Sequence, residues 1–344
     1  MTERNYGIDL LRIVSMFYVI VLHVFGQGGV LAGTMDSAHY SLALYFETFS
    51  FCAVDCFALI SGFVGYRENT HKLKISNYIN IWLQVVFYNI VIMFIYSLIL
   101  PDAVKLSDYK YAIFPVTMNR HWYFTAYTGL FFITPLINAA VQKMDNRILK
   151  KHAIITIILY SFFASFCAIY NGDNFILHGG YSVIWLAILY FLGAVIKKTG
   201  LFLNISPLFG IPALLLLALQ RVFITYISPA VLIAAIIHLA LFAKIKVSPK
   251  LIKLLSIATP GVFAVYIINT QKLFYSNFMG GRFAFLCTAP LYMIPLVAFG
   301  FAAIFVIASV LIDYFRRQLF AALKINKLPL LIEQFIDSAF ERFV

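Results

Sequence analysis

Long apolar stretches alternate with short polar ones along the whole chain. A helix needs about 20 mostly apolar residues to cross the hydrocarbon core of a bilayer, and about ten stretches meet this requirement. They lie near residues 8–27, 41–64, 79–100, 122–141, 153–171, 181–196, 200–219, 228–243, 258–278 and 285–312. Since the sixth and eighth stretches are short, counts of nine and eleven also fit. The pattern predicts an all-α fold, a polytopic transmembrane helical bundle of about ten spans.

The basic residues decide the orientation of this bundle. Lysine and arginine collect in short loops on the cytoplasmic side of a membrane. With the N-terminus inside, 20 of the 26 basic residues fall on the inner side and five on the outer side, while Lys272 lies within a span. The sequence therefore predicts that both termini are cytoplasmic.

The composition supports a membrane protein. Apolar residues make up 62% of the 344 and charged residues 12%, whereas soluble domains have roughly 45–50% and about 25%. An ordinary soluble enzyme is thus excluded. The net charge of +12 follows from the basic inner loops, so it does not indicate nucleic acid as a partner.

The cysteines and the C-terminal segment complete the organisation. All four cysteines lie in apolar stretches, without C-x-x-C pairs or a histidine nearby in the sequence, so we expect small core residues and no metal site. After Ile312, basic and apolar residues mix at near-helical spacing. We expect one membrane domain over residues 1–320 and a cytoplasmic amphipathic segment, 321–344, along the inner leaflet.

The first span carries ionisable residues that lipid disfavours. Arg12 and His23 are 11 residues apart, which on a helix is about 20° of rotation beyond three turns and about 16 Å along the axis. Asp9 precedes Arg12 by three residues and can pair with it. One face of this span therefore carries a polar stripe from the inner edge toward the outer half.

This stripe has a structural interpretation and a functional one. Arg12 could extend to the inner interface with Asp9 as its partner, and His23 could be a hydrogen-bonded core histidine. Alternatively, imidazole can take a proton from a hydroxyl near neutral pH, and guanidinium binds phosphate. The second span also holds Glu47 and Asp55, for which we expect cationic partners from other spans, Lys272 among the candidates.

Several segments together resemble the acyltransferase 3 family of integral membrane acyltransferases. The first is IDLLRIVSMFYVIVLH, with ten residues between Arg12 and His23. CFALISGFVGYRE, which holds Ser61, and HWYFTAYTGLFFITPL, which begins with His121 and Trp122, are similar to later segments of the family. YFLGAVIKK, FAVYIINTQ and VLIDYFRRQLF complete the resemblance, which covers roughly residues 7–320. Many members carry histidine where FAVYIINTQ has Asn269, so a second-histidine role is not expected here.

The resemblance implies transfer of an acyl group, most often acetyl, from cytoplasmic acyl-CoA to a sugar hydroxyl. The acceptor would be an envelope or extracellular glycan, or its lipid-linked precursor. Arg12 would orient the donor, and His23 would act as general base or carry the acyl group itself. Substrate-binding candidates are Asp9, Ser61, Arg67, His121, Trp122 and Asn269, and the inner loop adds Lys72 and Lys74 for the donor's phosphates. No bound cofactor is expected.

Two other classes remain open at this point. A polytopic transporter or flippase could use the same buried charges for translocation, and a lipid-linked glycan polymerase is a further enzymatic alternative. Trp122 could anchor its span at the interface or stack on a sugar. A single-domain protein in this orientation suits the bacterial cytoplasmic membrane.

Overall fold

The regular elements are helices throughout the part of the chain described by the structure, a computed structural model covering residues 4–68 and 73–342. The first eight α-helices are α1 Tyr6–Phe25, α2 Ser37–Ser50, α3 Ala53–Gly65, α4 Ile75–Ile99, α5 Tyr109–Ile113, α6 Trp122–Lys143, α7 Asn146–Ile157 and α8 Ala164–Tyr170. The remaining seven are α9 Val183–Thr199, α10 Pro207–Leu217, α11 Pro229–Ala243, α12 Pro249–Ala258, α13 Val262–Thr270, α14 Met293–Ala322 and α15 Leu328–Phe340. The all-α prediction is confirmed.

Within the described residues, seven helical stretches are long and apolar enough to cross a membrane. They are Tyr6–Phe25, Ser37–Gly65, Ile75–Ile99, Trp122–Lys143, Asn146–Tyr170, Pro249–Thr270 and Met293–Ala322. The two shorter apolar helices α10 and α11 fall within the predicted seventh and eighth spans. A multi-pass membrane bundle is thus shown, while the count of ten spans and the cytoplasmic termini stay predictions.

The last two long stretches begin at different residues from those predicted. The span predicted at 258–278 is observed at Pro249–Thr270. It begins at Pro249 because a proline in the first turn of a helix loses no hydrogen bond through its missing N–H. The span predicted at 285–312 is observed at Met293–Ala322. It begins later because a short 3-10 turn and Pro290 precede the helix. Apolar content alone had placed residues 249–257 outside the first of these spans and residues 285–292 inside the second.

The C-terminal half of α14 is held by a buried carboxylate. Asp313 is fully buried and lies 2.7 Å from Arg316 Nε and 3.1 Å from Arg317 Nε. Gln84 Nε2 and Tyr88 Oη on α4 also donate to Asp313 Oδ1, at 2.9 and 3.0 Å. A buried carboxylate with this many donors is compensated for its loss of water. The network therefore ties α14 to α4 and extends α14 past the predicted end of the span.

The segment after residue 322 forms a separate helix. α15 contacts α4 and leaves Leu330, Leu331 and Phe335 exposed. Because an amphipathic helix buries its apolar face at a lipid interface, this arrangement is compatible with the predicted position along the inner leaflet. The helix begins later than the mixed pattern after Ile312 suggested, since α14 continues to Ala322.

α3 and α9 approach each other more closely than side chains would allow. A Cβ added to Gly62 would lie 1.9 Å from the carbonyl oxygen of Tyr190, and one added to Gly193 would lie 2.1 Å from that of Leu59. Small residues permit such close approach between membrane helices. The buried Asp55 of α3 accepts a hydrogen bond from Trp185 Nε1 of α9 at 3.1 Å, so its observed partner is an indole rather than the expected Lys272.

α1 lies at the centre of the bundle. It contacts α2, α3, α11, α12, α13 and α14. Its first turn is held by Asn5, whose side chain accepts from the Ile8 N–H at 3.2 Å and donates to the Ala243 carbonyl at 2.9 Å. The helix with the polar stripe is therefore surrounded by protein, and its ionisable groups face neighbouring helices.

The contact between α3 and α9 yields a stability prediction. Gly193→Ala should lower the stability of the purified protein by about 1–3 kcal/mol, because the added methyl group overlaps a backbone carbonyl. The measurement is the thermal unfolding midpoint in detergent. Gly300→Ala in α14 is the matched control, since a Cβ there meets no atom within 4 Å and alanine favours a helix. Equal unfolding midpoints for both variants would show that α3 and α9 can move apart without a loss of stability.

Candidate active site

The polar stripe of α1 begins at its N-terminal end with a shared carboxylate. Asp9 lies 2.6 Å from Arg4 Nε and 3.3 Å from Arg12 Nη1, and only 6% of its side chain is exposed. Arg12 retains 29% exposure, and its remaining N–H groups point to no other acceptor among the residues described. Asp9 thus holds Arg12 in place while leaving guanidinium donors for a ligand.

Two adjoining cavities meet at Arg12. One has a volume of about 570 Å³ and the other about 310 Å³, and they share Arg12, Val64 and Arg67. The larger also contacts Lys74, and the smaller contacts Arg4 and Lys197. These five cations line the inner vestibule, the name used here for both cavities: Arg4, Arg12, Arg67, Lys74 and Lys197.

The charge of the inner vestibule is strongly positive. Asp9 is the acidic member of its lining within the described part of the chain. Arg67 and Lys74 were predicted to lie here, whereas Lys72 is outside the described residues. Lys197 lies 4.8 Å from the ring of Phe63 and was not predicted, because its sequence context is that of an ordinary inner loop. The arrangement suits a ligand that carries several negative charges.

The wall of the larger cavity adds neutral polar groups. Ser61 lines it, and its hydroxyl donates to the Phe57 carbonyl at 2.9 Å. Asn138 accepts from Tyr190 Oη at 3.1 Å and donates to the Gly65 carbonyl at 3.3 Å. The vestibule therefore combines fixed positive charge with hydrogen-bonding groups suited to a polar chain.

His23 lies near the other end of α1, next to α13. Its Nδ1 is hydrogen-bonded to Asn269 Oδ1, and its ring meets the ring of Tyr275 edge-on at 5.2 Å between centroids. Because an amide oxygen only accepts hydrogen bonds, Nδ1 carries the hydrogen and Nε2 keeps its lone pair. The contact with Asn269 therefore sets the tautomer in which His23 can take a proton through Nε2.

His121 is held by a similar but separate set of contacts. It precedes α6 and is buried, with Nδ1 2.8 Å from Thr270 Oγ1 and Nε2 3.0 Å from Asn89 Oδ1. It lines the outer cavity, a space of about 100 Å³ that Arg120 and Gln271 also border. This cavity adds a second histidine site at the level of the end of α13.

Three consecutive residues at the end of α13 join these features. Asn269 contacts His23, Thr270 contacts His121, and Gln271 borders the outer cavity. Sequence reasoning had named Asn269 and His121 but missed Thr270, Gln271 and Asn89. The signal was present as the run Asn-Thr-Gln after an apolar helix, since three polar residues there must find buried partners.

The geometry does not join every predicted residue. The inner vestibule and the outer cavity have no lining residue in common. Trp122 does not border the outer cavity, and its ring packs instead 4.5 Å from Tyr181 and 6.0 Å from Tyr226 between centroids. His23 borders neither space among the described residues. The structure thus places Arg12 at one cavity and His121 at another, and His23 is related to His121 only through the neighbouring residues Asn269 and Thr270 of α13.

Comparison with known proteins identifies the family to which the chain belongs. A family model described as an acyltransferase domain matches residues 5–314, which include Arg12, His23, His121 and Asn269. No curated protein and no solved structure matches the chain. Since the match covers most of the sequence, the chain belongs to the acyltransferase 3 family of membrane acyltransferases.

Proposed function

We propose that this acyltransferase moves an acyl group, acetyl in the first instance, from cytoplasmic acyl-CoA to a sugar hydroxyl. The acceptor is an envelope or extracellular glycan, or its lipid-linked precursor, and the enzyme works in a bacterial cytoplasmic membrane. One observation carries the proposal: α1 presents a cationic cavity at Arg12 and a histidine of defined tautomer about 16 Å further along. Because Arg12 and His23 are this far apart, the donor and the acceptor can bind at different ends of α1.

The donor end of the proposal depends on charge. Acyl-CoA carries phosphates at one end and its thioester at the end of a long flexible arm. The five cations of the inner vestibule suit the phosphates, and Ser61 and Asn138 can bond the amides of the arm. The larger cavity, at about 570 Å³, is within the range of about 300–1,000 Å³ typical of small-molecule sites.

The chemical step depends on His23. Nε2 takes the proton of the acceptor hydroxyl as its oxygen bonds to the thioester carbonyl carbon, and the carbon–sulfur bond then breaks. The coenzyme A thiolate leaves and receives that proton from His23. Asn269 holds the ring throughout and stabilises the proton on Nδ1. In the alternative relay, Nε2 bonds the acyl carbon and the carbon–sulfur bond breaks, so coenzyme A leaves as its thiolate. The acceptor oxygen then bonds the acyl carbon, the bond to Nε2 breaks, and Nε2 receives the hydroxyl proton.

The acceptor end is proposed at the outer cavity. His121, Asn89 and Gln271 offer hydrogen-bonding groups to a sugar there. Trp122, by its packing among tyrosines, fits an anchoring role better than stacking on a sugar. The cavities do not meet in this conformation. Transfer therefore requires the helices packed against α1 to move apart along the stretch from Arg12 to His23, so that the thioester arm can pass.

Replacement of His23 tests the base. His23→Ala should lower acyl transfer by about 10²–10⁴-fold, because the acceptor hydroxyl then lacks its proton acceptor. The readouts are O-acyl signals in NMR spectra of surface glycans and thiol release from acyl-CoA by purified protein. The matched control is His152→Ala, a change at an exposed histidine of α7, with equal protein levels in the membrane. Normal acylation by His23→Ala would refute the assignment, and glycan or acyl flux without acyl-CoA turnover would support a transporter.

Asn269 is a positioning residue, and its replacement has a distinct signature. Asn269→Leu should lower kcat by about 10–100-fold, because His23 loses the acceptor that defines its tautomer. The KM for acyl-CoA should stay unchanged, since the donor binds at the other end of α1. Steady-state kinetics separate the two parameters, with Asn277→Leu at an exposed asparagine as control. A rise in KM without a fall in kcat would place Asn269 in donor binding instead.

Arg67 tests the binding of donor phosphates. Arg67→Gln should raise the KM for acetyl-CoA by about 5–10-fold, because one charge-assisted hydrogen bond is lost. The same variant should bind acetyl-pantetheine, which has no phosphates, as well as the unchanged protein does. Arg147→Gln, at an exposed residue of α7, is the control. Equal loss with both donors would show that Arg67 does not contact phosphate.

A further inference from the structure

Three metal-ligating side chains meet inside the bundle, on a different face of α1 from the polar stripe. Cys52 lies at the break between α2 and α3, Cys56 lies on α3, and His238 lies on α11. One ligand atom from each residue is within 4.8 Å of those of the other two, and all three residues are buried. The cysteines had been expected to be core residues without a histidine nearby; the fold supplies one from a distant part of the sequence.

The local geometry explains why the two thiols converge. α2 ends at Ser50 and α3 begins at Ala53, so Cys52 sits where the helical path is interrupted. Cys56 follows four residues later, and on a helix such a pair differs by about 40° in rotation. Both thiols therefore lie on the same side of α3, and they are close enough to interact with each other.

The distance to the histidine suits two ligands of one ion. Cys52 Sγ lies 3.7 Å from His238 Nδ1. In a tetrahedral zinc site, bonds of about 2.3 Å to sulfur and about 2.0–2.1 Å to nitrogen place neighbouring ligand atoms about 3.5–3.8 Å apart. The side chains thus have nearly the spacing that a bound ion requires, before any rearrangement.

The histidine also has the supporting contacts typical of a metal ligand. Nδ1 is 2.8 Å from the Ala234 carbonyl oxygen, and Nε2 is 3.3 Å from the Tyr18 hydroxyl. Without an ion, Nδ1 carries the ring hydrogen and donates it to the Ala234 carbonyl. Binding of an ion at Nδ1 moves that hydrogen to Nε2, where the Tyr18 hydroxyl can accept it. Metal-binding histidines are held by such a partner on their second nitrogen.

Electrostatics favours a divalent ion at this depth. A net charge is costly inside a membrane bundle, and two thiolates with a neutral imidazole carry a charge of −2. A divalent ion makes the assembly neutral, whereas a monovalent ion leaves one negative charge. Soft sulfur ligands exclude magnesium and calcium, which take oxygen ligands.

We propose that Cys52, Cys56 and His238 form a binding site for Zn²⁺ or a divalent ion of similar chemistry. Binding replaces the two thiol protons, so one ion enters as two protons leave and no oxidation takes place. The ion would link α3 to α11 at the helix break. This site is independent of the proposed acyl transfer.

Metal content tests the proposal directly. The full-length protein is purified in detergent with a tag that contains no histidine or cysteine, loaded with Zn²⁺ and desalted. Mass spectrometry of the metal should give about one ion per chain. Cys52→Ser and Cys56→Ser should lose this ion, while Cys167→Ser, at a cysteine outside the cluster, should retain it. Equal zinc in all four proteins, or none in the unchanged protein, would overturn the proposal.

A spectrum of the unchanged protein keeps the test decisive where a variant fails to fold. Co²⁺ substituted at a site with two thiolates gives sulfur-to-cobalt charge-transfer bands in the near ultraviolet and visible bands of tetrahedral coordination. We expect these bands with Co²⁺, and their loss when Zn²⁺ is added. A protein that takes up no Co²⁺ with these bands, or whose Cys52 and Cys56 are isolated as a disulfide, does not have the proposed site.

Discussion

Every polar group of α1 depends on one constraint, that lipid offers it neither water nor a hydrogen-bond partner. Asp9, Arg12 and His23 can therefore remain in an apolar helix only because neighbouring chain segments satisfy them. Asp9 is shared between two arginines, and His23 is bonded to Asn269. The partners of Asp9 come from the same segment of the chain, whereas α13 supplies the partner of His23. The site is thus a consequence of burying α1, and loosening the bundle would expose its charges before it disturbed its helices.

The same constraint separates the two ends of the site. At the N-terminal end of α1, Arg12 and Arg67 border open cavities. The histidines are held by neighbouring helices: His23 through Nδ1 by Asn269 of α13, and His121 through both ring nitrogens by Thr270 of α13 and Asn89 of α4. Exposed charge suits capture of a charged donor, and a held imidazole suits proton transfer. Each end of α1 therefore has the environment that its proposed role requires.

The sequence predicted the features that depend on residues close together along the chain. The apolar stretches predicted the helices, and the spacing of Arg12 and His23 predicted a shared face on α1. It could not predict contacts between distant segments, such as Thr270 with His121 or His238 with Cys52. It also misplaced the starts of α12 and α14, where Pro249 and Pro290 outweigh apolar content. The inner vestibule was anticipated through Arg67 and Lys74, whereas Lys197 and Arg4 needed the fold.

Asn269 gives the proposed mechanism its particular form. A histidine at this position, as in many related sequences, could itself exchange a proton with His23. An amide cannot do so, since it can hold the Nδ1 hydrogen but neither gains nor loses one. In the proposed reaction the proton taken from the acceptor must therefore stay on Nε2 until the thiolate receives it. A single imidazole then serves both half-steps, which requires acceptor oxygen and thioester sulfur to approach the same nitrogen in turn. The chemistry is thereby confined to the region beside His23, and the donor arm must reach it from Arg12.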